Sequence, residues 1–250
     1  ACMVHGGGLG MVPADSRIIQ VEKLLKIDPG AQLLASIMSK KLASGSTHVV
    51  IDIPIGKGAK FTKSKALQLK IKFEKLARYF KIKLECILTD GTQPIGNGIG
   101  PILELLDIIK ILDPNQDGPK DLEEKSLLLA GKLFEMTGKS KKGEGIILAK
   151  KILSSGMAYK KFKEIIKAQS GSLRKIRFAK YNREVLAEKN GRIVEIVNSD
   201  MNGLARVAGS PDDKTAGVYL FNHVGSHVKK GQQLFMICSE SQPRLKQAME

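Results

Sequence analysis

At 250 residues, 42% of them hydrophobic, the chain can bury a real core as one large domain or two ordinary ones, which excludes a disordered tail. A net charge of +16 attracts polyanions, yet aromatic residues are only 5%, tryptophan is absent, and no RNA-recognition strand, zinc finger or arginine-rich arm is present, so sequence-specific nucleic-acid binding is not expected. Cys2, Cys86 and Cys238 are too scattered for a disulfide framework and no apolar run approaches the ~20 residues of a membrane span, so the expectation is a soluble, cytoplasmic protein.

The first residues read like the interior of a domain, which points to a fragment or a clipped product. Gly6-Gly7-Gly8-Leu9-Gly10 reads as a hinge or as a place where a ligand comes close. Ile18-Ile19-Gln20-Val21 predicts a short strand. Asp28-Pro29 then opens a helix, with Asp28 as N-cap and proline at the first helical position, and the helix runs to about Ala43 ahead of Gly45. Thr47 to Ile53 is β-branched and mostly apolar, as a buried parallel strand should be, and it leads into the loop Pro54-Ile55-Gly56-Lys57-Gly58-Ala59-Lys60.

A helix follows from about Lys63 to Phe80, with Leu67, Ile71, Phe73, Leu76, Ala77 and Phe80 near helical spacing. Ile82 to Leu88 is the next strand. The segment from Asp90 to Pro101 is a turn-rich loop without the glycine-lysine pattern of a phosphate fingerprint, and a helix from about Ile102 to Leu112 comes after it. Strand, helix, strand and helix in this order predict an α/β fold: a parallel sheet flanked by helices, with the ligand site beyond the carboxyl ends of the strands. Pro119 to Tyr159 reads as helical, broken near Gly138 and Gly156.

After Gln169-Ser170-Gly171 the period changes. Phe178, Val185, Ile193, Val194, Ile196, Val218, Leu220 and Phe235 fall in short strand-like runs, with a helical stretch about Asp200 to Val207. A boundary near Gly171 divides the chain into residues 1–170, an α/β part, and 171–250, a mixed α/β domain.

Ser36 and Lys40 stand one helical turn apart on the same face, where a hydroxyl and an ammonium suit a nucleobase or an oxyanion; an exposed pair on an amphipathic helix has the same pattern. Lys57 and Lys60 lie in the glycine loop at the ligand-facing end of the strand. Lys60 would draw a phosphate as a point charge, and the same loop also serves as a plain strand-to-helix turn. Asp28 is ambiguous: as an N-cap it favours the ionised carboxylate, whereas a proton donor must carry a proton. His48 reads as a packed core residue. His223 and His227 have no neighbouring Cys/His cluster, so no metal site is expected.

Pro13-Ala14-Asp15, Asp28-Pro29, Ala35-Ser36-Ile37 through Lys40-Lys41, His48 through Pro54, Gly56-Lys57-Gly58-Ala59-Lys60 and Gln93-Pro94-Ile95-Gly96 are ordered and spaced as in a known family. From about Pro13 onward the chain resembles the archaeal-type AMP phosphorylases, relatives of the thymidine and pyrimidine-nucleoside phosphorylases. Ala208 through Lys214 and Val228-Lys229-Lys230-Gly231 resemble the mixed α/β tail domain of that family. The resemblance implies a class II-like nucleoside phosphorylase central domain lacking its N-terminal portion, followed by that tail.

The activity implied is phosphorolysis of AMP, and of other nucleoside 5′-monophosphates such as CMP and UMP, to free base and ribose 1,5-bisphosphate in nucleotide salvage. By position, Asp28 matches the proton donor to the departing base, Ser36 and Lys60 match substrate-binding positions, and Lys40 matches a base-contacting lysine of the pyrimidine relatives. No metal or organic cofactor is implied; inorganic phosphate is the co-substrate, and a homo-oligomer, dimer or larger, is expected. Val21 stands where the pyrimidine relatives carry an arginine, which argues against a pyrimidine nucleoside. The glycine- and serine-rich phosphate-binding segment of the family is expected upstream of these residues. Two alternatives remain: a thymidine or pyrimidine nucleoside phosphorylase, and a non-catalytic basic module that binds RNA. The tail also resembles biotinyl and lipoyl carriers, without a lysine in a Met-Lys-Met-like hairpin.

Overall fold

The computed structural model describes residues 2–3, 10–25, 30–173 and 176–250. Helix α1 (Pro13–Leu25) occupies the segment in which a strand was expected at Ile18 to Val21. The helix wins because proline fits its first position and because Ile18, Ile19, Val21, Leu24 and Leu25 recur at helical rather than alternating spacing. Asp28 and Pro29 lie outside the described residues, as does Gly6-Gly7-Gly8-Leu9. Helix α2 (Gly30–Ala43) ends where expected and buries Leu34 and Met38.

Strand β1 (His48–Ile55) and strand β2 (Lys83–Asp90) pair in parallel, His48 opposite Lys83 and Ile55 opposite Asp90. The crossover is helix α3 (Lys63–Tyr79), whose N-cap hydroxyl on Thr62 accepts the Lys65 N–H. Burial on α3 falls on Ala66, Leu69, Phe73 and Ala77, a stripe at i, i+3, i+7 and i+11. Leu67 and Ile71, expected on the apolar face, are exposed. Val49, Ile51 and Ile53 alternate along β1 and pack with Leu34 and Met38 of α2 and Phe73 of α3 as one core. Fully burying Phe73 contributes up to ~3 kcal/mol of transfer free energy.

The loop after β2 contains strand β3 (Gly98–Ile99) and leads into helix α4 (Pro101–Leu112). Asp107 of α4, 1% exposed, accepts the backbone N–H groups of Asn97 and Gly98 on one oxygen at 2.6 and 2.7 Å. A side chain at Gly98 would lie 2.3 Å from the backbone of Leu103, so only glycine lets the loop close onto this helix. Helices α5 (Lys120–Met136), α6 (Gly145–Ser154) and α7 (Met157–Ala168) follow, separated near Gly138 and Gly156.

Strands β4 (Tyr181–Leu186), β6 (Gly217–Leu220) and β8 (Gln233–Ser239) join β3 in an antiparallel sheet of order β3-β6-β8-β4. Strand β5 (Gly191–Arg192) pairs with β7 (His227–Val228). Phe178, Ile193, Val194 and Ile196 lie outside the strands; Ile193 instead exchanges backbone hydrogen bonds with Gly225 and Ser226. Helix α8 (Asn198–Ala208) covers the sheet through Ala205 against Val218 and Leu220, and helix α9 (Gln242–Gln247) closes the described chain. The fold is mixed α/β. Among the described residues no helix is long and apolar enough to cross a membrane.

Candidate substrate site

Gln32, Ser36 and Lys40 recur every four residues on α2, so one turn after another they face the same neighbour. That neighbour is Asp15, in the first turn of α1 and 5% exposed. Asp15 Oδ2 accepts from the Ser36 hydroxyl at 2.9 Å and from Lys40 Nζ at 2.5 Å; Oδ1 accepts from the Gln32 amide at 3.3 Å. Lys40 also donates to Ser36 Oγ at 3.1 Å. The carboxylate thus accepts three hydrogen bonds, all from α2.

Burial alone would raise the pKa of Asp15. The hydrogen bonds from Lys40 and Ser36, the charge of Lys40 and the Gln32 amide outweigh it, and the carboxyl titrates below the usual carboxylate range. Asp15 therefore balances the charge of Lys40 at neutral pH. The sequence reading placed Ser36 and Lys40 on one face but gave Asp15 no role; a carboxylate in the first turn of the neighbouring helix was the only local signal.

Lys60 sits on the loop leaving β1, before the start of α3. Gly56 has φ 139° and Gly58 φ 78°, and a side chain at Gly56 would lie 2.4 Å from Thr92 Cγ2, so this loop packs against the loop after β2. Gly91 N–H donates to the Ile55 carbonyl across the same junction, at 2.9 Å. The ammonium of Lys60 lies 5.7 Å from the centre of the Phe61 ring. Lys57 pairs with Glu195 at 2.8 Å, both well exposed, an ion pair of little energetic weight.

At the carboxyl end of β2 a cavity of about 350 Å³ is lined by Thr89, Asp90, Gln93, Asp121, Glu124 and Lys125, among others. Beside it Asp52 accepts from Thr89 at 2.6 Å and pairs with Lys125 of α5 at 2.6 Å. Sequence reasoning missed this pair, whose partners lie far apart in the chain. Ser36 and Lys40 are brought together, Lys60 stands apart from them in the chain on the loop that leaves β1, and Asp28 lies outside the described residues. Among the described residues no group of three or more His, Cys, Asp or Glu gathers as metal ligands would.

No family model matches the chain. Individual relatives do. The chain is 44% identical over 250 residues to a protein of Legionella pneumophila (strain Corby) named "Putative thymidine phosphorylase", covering 100% of this chain and 48% of that one. It is 44% identical over 252 residues to an AMP phosphorylase of Methanococcus maripaludis (strain C6 / ATCC BAA-1332), covering 99% of this chain and 50% of the relative. An AMP phosphorylase of strain C7 of the same species is 44% identical over 248 residues, covering 98% and 49%. The chain spans about half the length of these curated relatives.

Proposed function

Because the chain belongs to the family of the AMP and thymidine phosphorylases, we propose that it forms part of the catalytic body of a pentosyltransferase that cleaves nucleoside 5′-monophosphates with inorganic phosphate. AMP is the leading substrate, with CMP and UMP as further ones, and the products are free base and ribose 1,5-bisphosphate. The observation that carries this reading is the 44% identity over 99–100% of the chain to relatives bearing both names.

Breaking an N-glycosidic bond builds positive charge on the sugar and negative charge on the base. Protonating the base as it leaves, and holding phosphate near the anomeric carbon, both lower that barrier. In this reading Asp28 protonates the base, Ser36 and Lys40 hold it, and Lys60 holds an anionic group of the nucleotide. The half of the relatives that this chain does not span supplies the glycine- and serine-rich phosphate segment. It also adds strands to the β1–β2 pair, completing a class II-like central domain. The scheme needs no metal or organic cofactor, and the assembly is a homo-oligomer.

A narrower second reading keeps the chemistry and removes the 5′-phosphate from the substrate, as the thymidine phosphorylase name of the Legionella relative suggests. Val21, in place of an arginine, favours the nucleotide. The test is base release, followed chromatographically, from AMP, CMP, adenosine, uridine and thymidine with phosphate. The chain is assayed alone and with the amino-terminal half of the Methanococcus relative. Release from AMP above adenosine is expected in the combined preparation. Release from thymidine or uridine in preference to AMP moves the assignment to nucleosides, and no release from any of the five overturns both readings.

A further inference from the structure

Resting on the reading of Ser36 and Lys40 as contacts to the base, we propose that Asp15 is a positioning residue that fixes the hydrogen-bonding polarity of that pair. Ser36 is made to present a lone pair and Lys40 an N–H, so the site selects a base edge in which a donor adjoins an acceptor.

The assignment follows from counting protons. A serine hydroxyl has one proton and two lone pairs, and an ionised carboxylate only accepts. At 2.9 Å from Asp15 Oδ2 the Ser36 proton must point at the carboxylate. Lys40, which only donates, uses one Ser36 lone pair at 3.1 Å. One lone pair and no proton remain on Ser36. Of the three ammonium protons of Lys40, one goes to Asp15 and one to Ser36, leaving one for a ligand, and its side chain is 32% exposed. Gln32 occupies the other oxygen of Asp15, so the carboxylate is held on both sides.

An oxyanion offers acceptors only, so it would meet a lone pair at Ser36, while the charge of Asp15 offsets that of Lys40. A neutral edge with an N–H beside a ring nitrogen or a carbonyl satisfies both groups. The 6-amino group and N1 of adenine, the 4-amino group and N3 of cytosine, and N3–H and a carbonyl of uracil all present it. The pair therefore demands an N–H without choosing among these bases.

The decisive measurement is calorimetric binding of adenine and of unsubstituted purine, which lacks the 6-amino donor. It is made on the chain with the amino-terminal half of the Methanococcus relative, beside base release from AMP by the same preparations. Wild-type protein should favour adenine by about tenfold or more, because purine sets its C6–H, in place of an amino N–H, against the Ser36 lone pair and leaves that acceptor unpaired. Asp15→Ala frees the Ser36 proton to turn toward the ligand and should lower that preference to about threefold or less. Asp15→Asn keeps an acceptor on Ser36 and Lys40 and should retain the preference. If the alanine variant does not fold, Asp15→Leu, which fills the volume without an acceptor, replaces it.

A purely structural role for Asp15 would lower stability in these variants and leave the adenine-to-purine ratio unchanged, and that result overturns the proposal. Wild-type protein that binds both bases equally, or neither, overturns it as well. Adenine preference without base release from AMP leaves the polarity standing and removes the catalytic reading, so the two fail separately.

Discussion

At the scale of single residues, charge and proton placement decide what the site can do. Asp15 is held below its ordinary pKa, near 3.8, by donors that favour its charged form. Its contribution to stability is therefore complete above that ordinary value and is lost as pH falls through the lower folded-state value. Urea unfolding of the wild type and of Asp15→Asn should show a stability gap that is constant from pH 5 to 8 and closes on further acidification. A gap that instead grows toward low pH would mean the carboxyl is neutral in the folded protein. For Asp28 the expected signature is kinetic. If it protonates the leaving base, Asp28→Asn should lower kcat by ~10²–10⁴-fold, the usual worth of general acid catalysis, with KM almost unchanged. A mere N-cap would give a small stability loss and near-normal kcat. Lys60→Ala, by removing one charge-assisted contact of ~1.5–3 kcal/mol, should raise KM for AMP roughly 10- to 100-fold and leave KM for adenosine nearly as it was.

Among the elements, those with a repeated local signal were legible in the sequence. The β-branched run of β1, the capped and amphipathic α3 and the proline-led α4 all lie within two residues of their expected bounds. Helix α1 was misread because four residues, Ile18 to Val21, carry strand propensity, whereas the helical period shows only over the longer window to Leu25. The expected apolar stripe of α3 included Phe73 and Ala77, which are buried, but also Leu67 and Ile71, which are exposed, and it left out Ala66 and Leu69, which join the core with β1. Strand β3 pairs with β6 across more than a hundred residues, and Asp15 meets Ser36 and Lys40 from a separate helix. No local window contains either pairing. Phe73, fully buried between α2 and the parallel strands, is where these elements depend on one another most. Phe73→Ala should cost ~3–5 kcal/mol, read as a fall in denaturation midpoint with the slope unchanged; a loss under about 1 kcal/mol would mean that this core is loosely packed.

For the molecule as a whole, the parallel sheet and the length of the relatives point the same way. Parallel strands are stable when both faces are covered and when more than two strands share the ladder. Among the described residues β1 and β2 form a two-stranded sheet, extended only by a single bridge from Ile55 to Phe61. Leu24 and Leu25, at the carboxyl end of the same α1 that carries Asp15, are 83% and 62% exposed. Proteins that match this chain at 44% identity are about twice its length; under the proposed function, the half that this chain does not span supplies further strands and covers α1. Adding the amino-terminal half of the Methanococcus relative should therefore raise the melting temperature and lower the binding of a hydrophobic dye. By mass action the stabilisation should grow with the concentration of the added half. The net charge of +16 makes non-specific attraction the rival explanation for any association. Salt separates the two: a complex held by buried apolar surface persists at 0.5 M salt, whereas one held by exposed charge weakens steeply because the Debye length falls to only a few ångströms. A melting temperature unmoved by the added half at any salt concentration would mean that the two strands and α1 are stable as they stand.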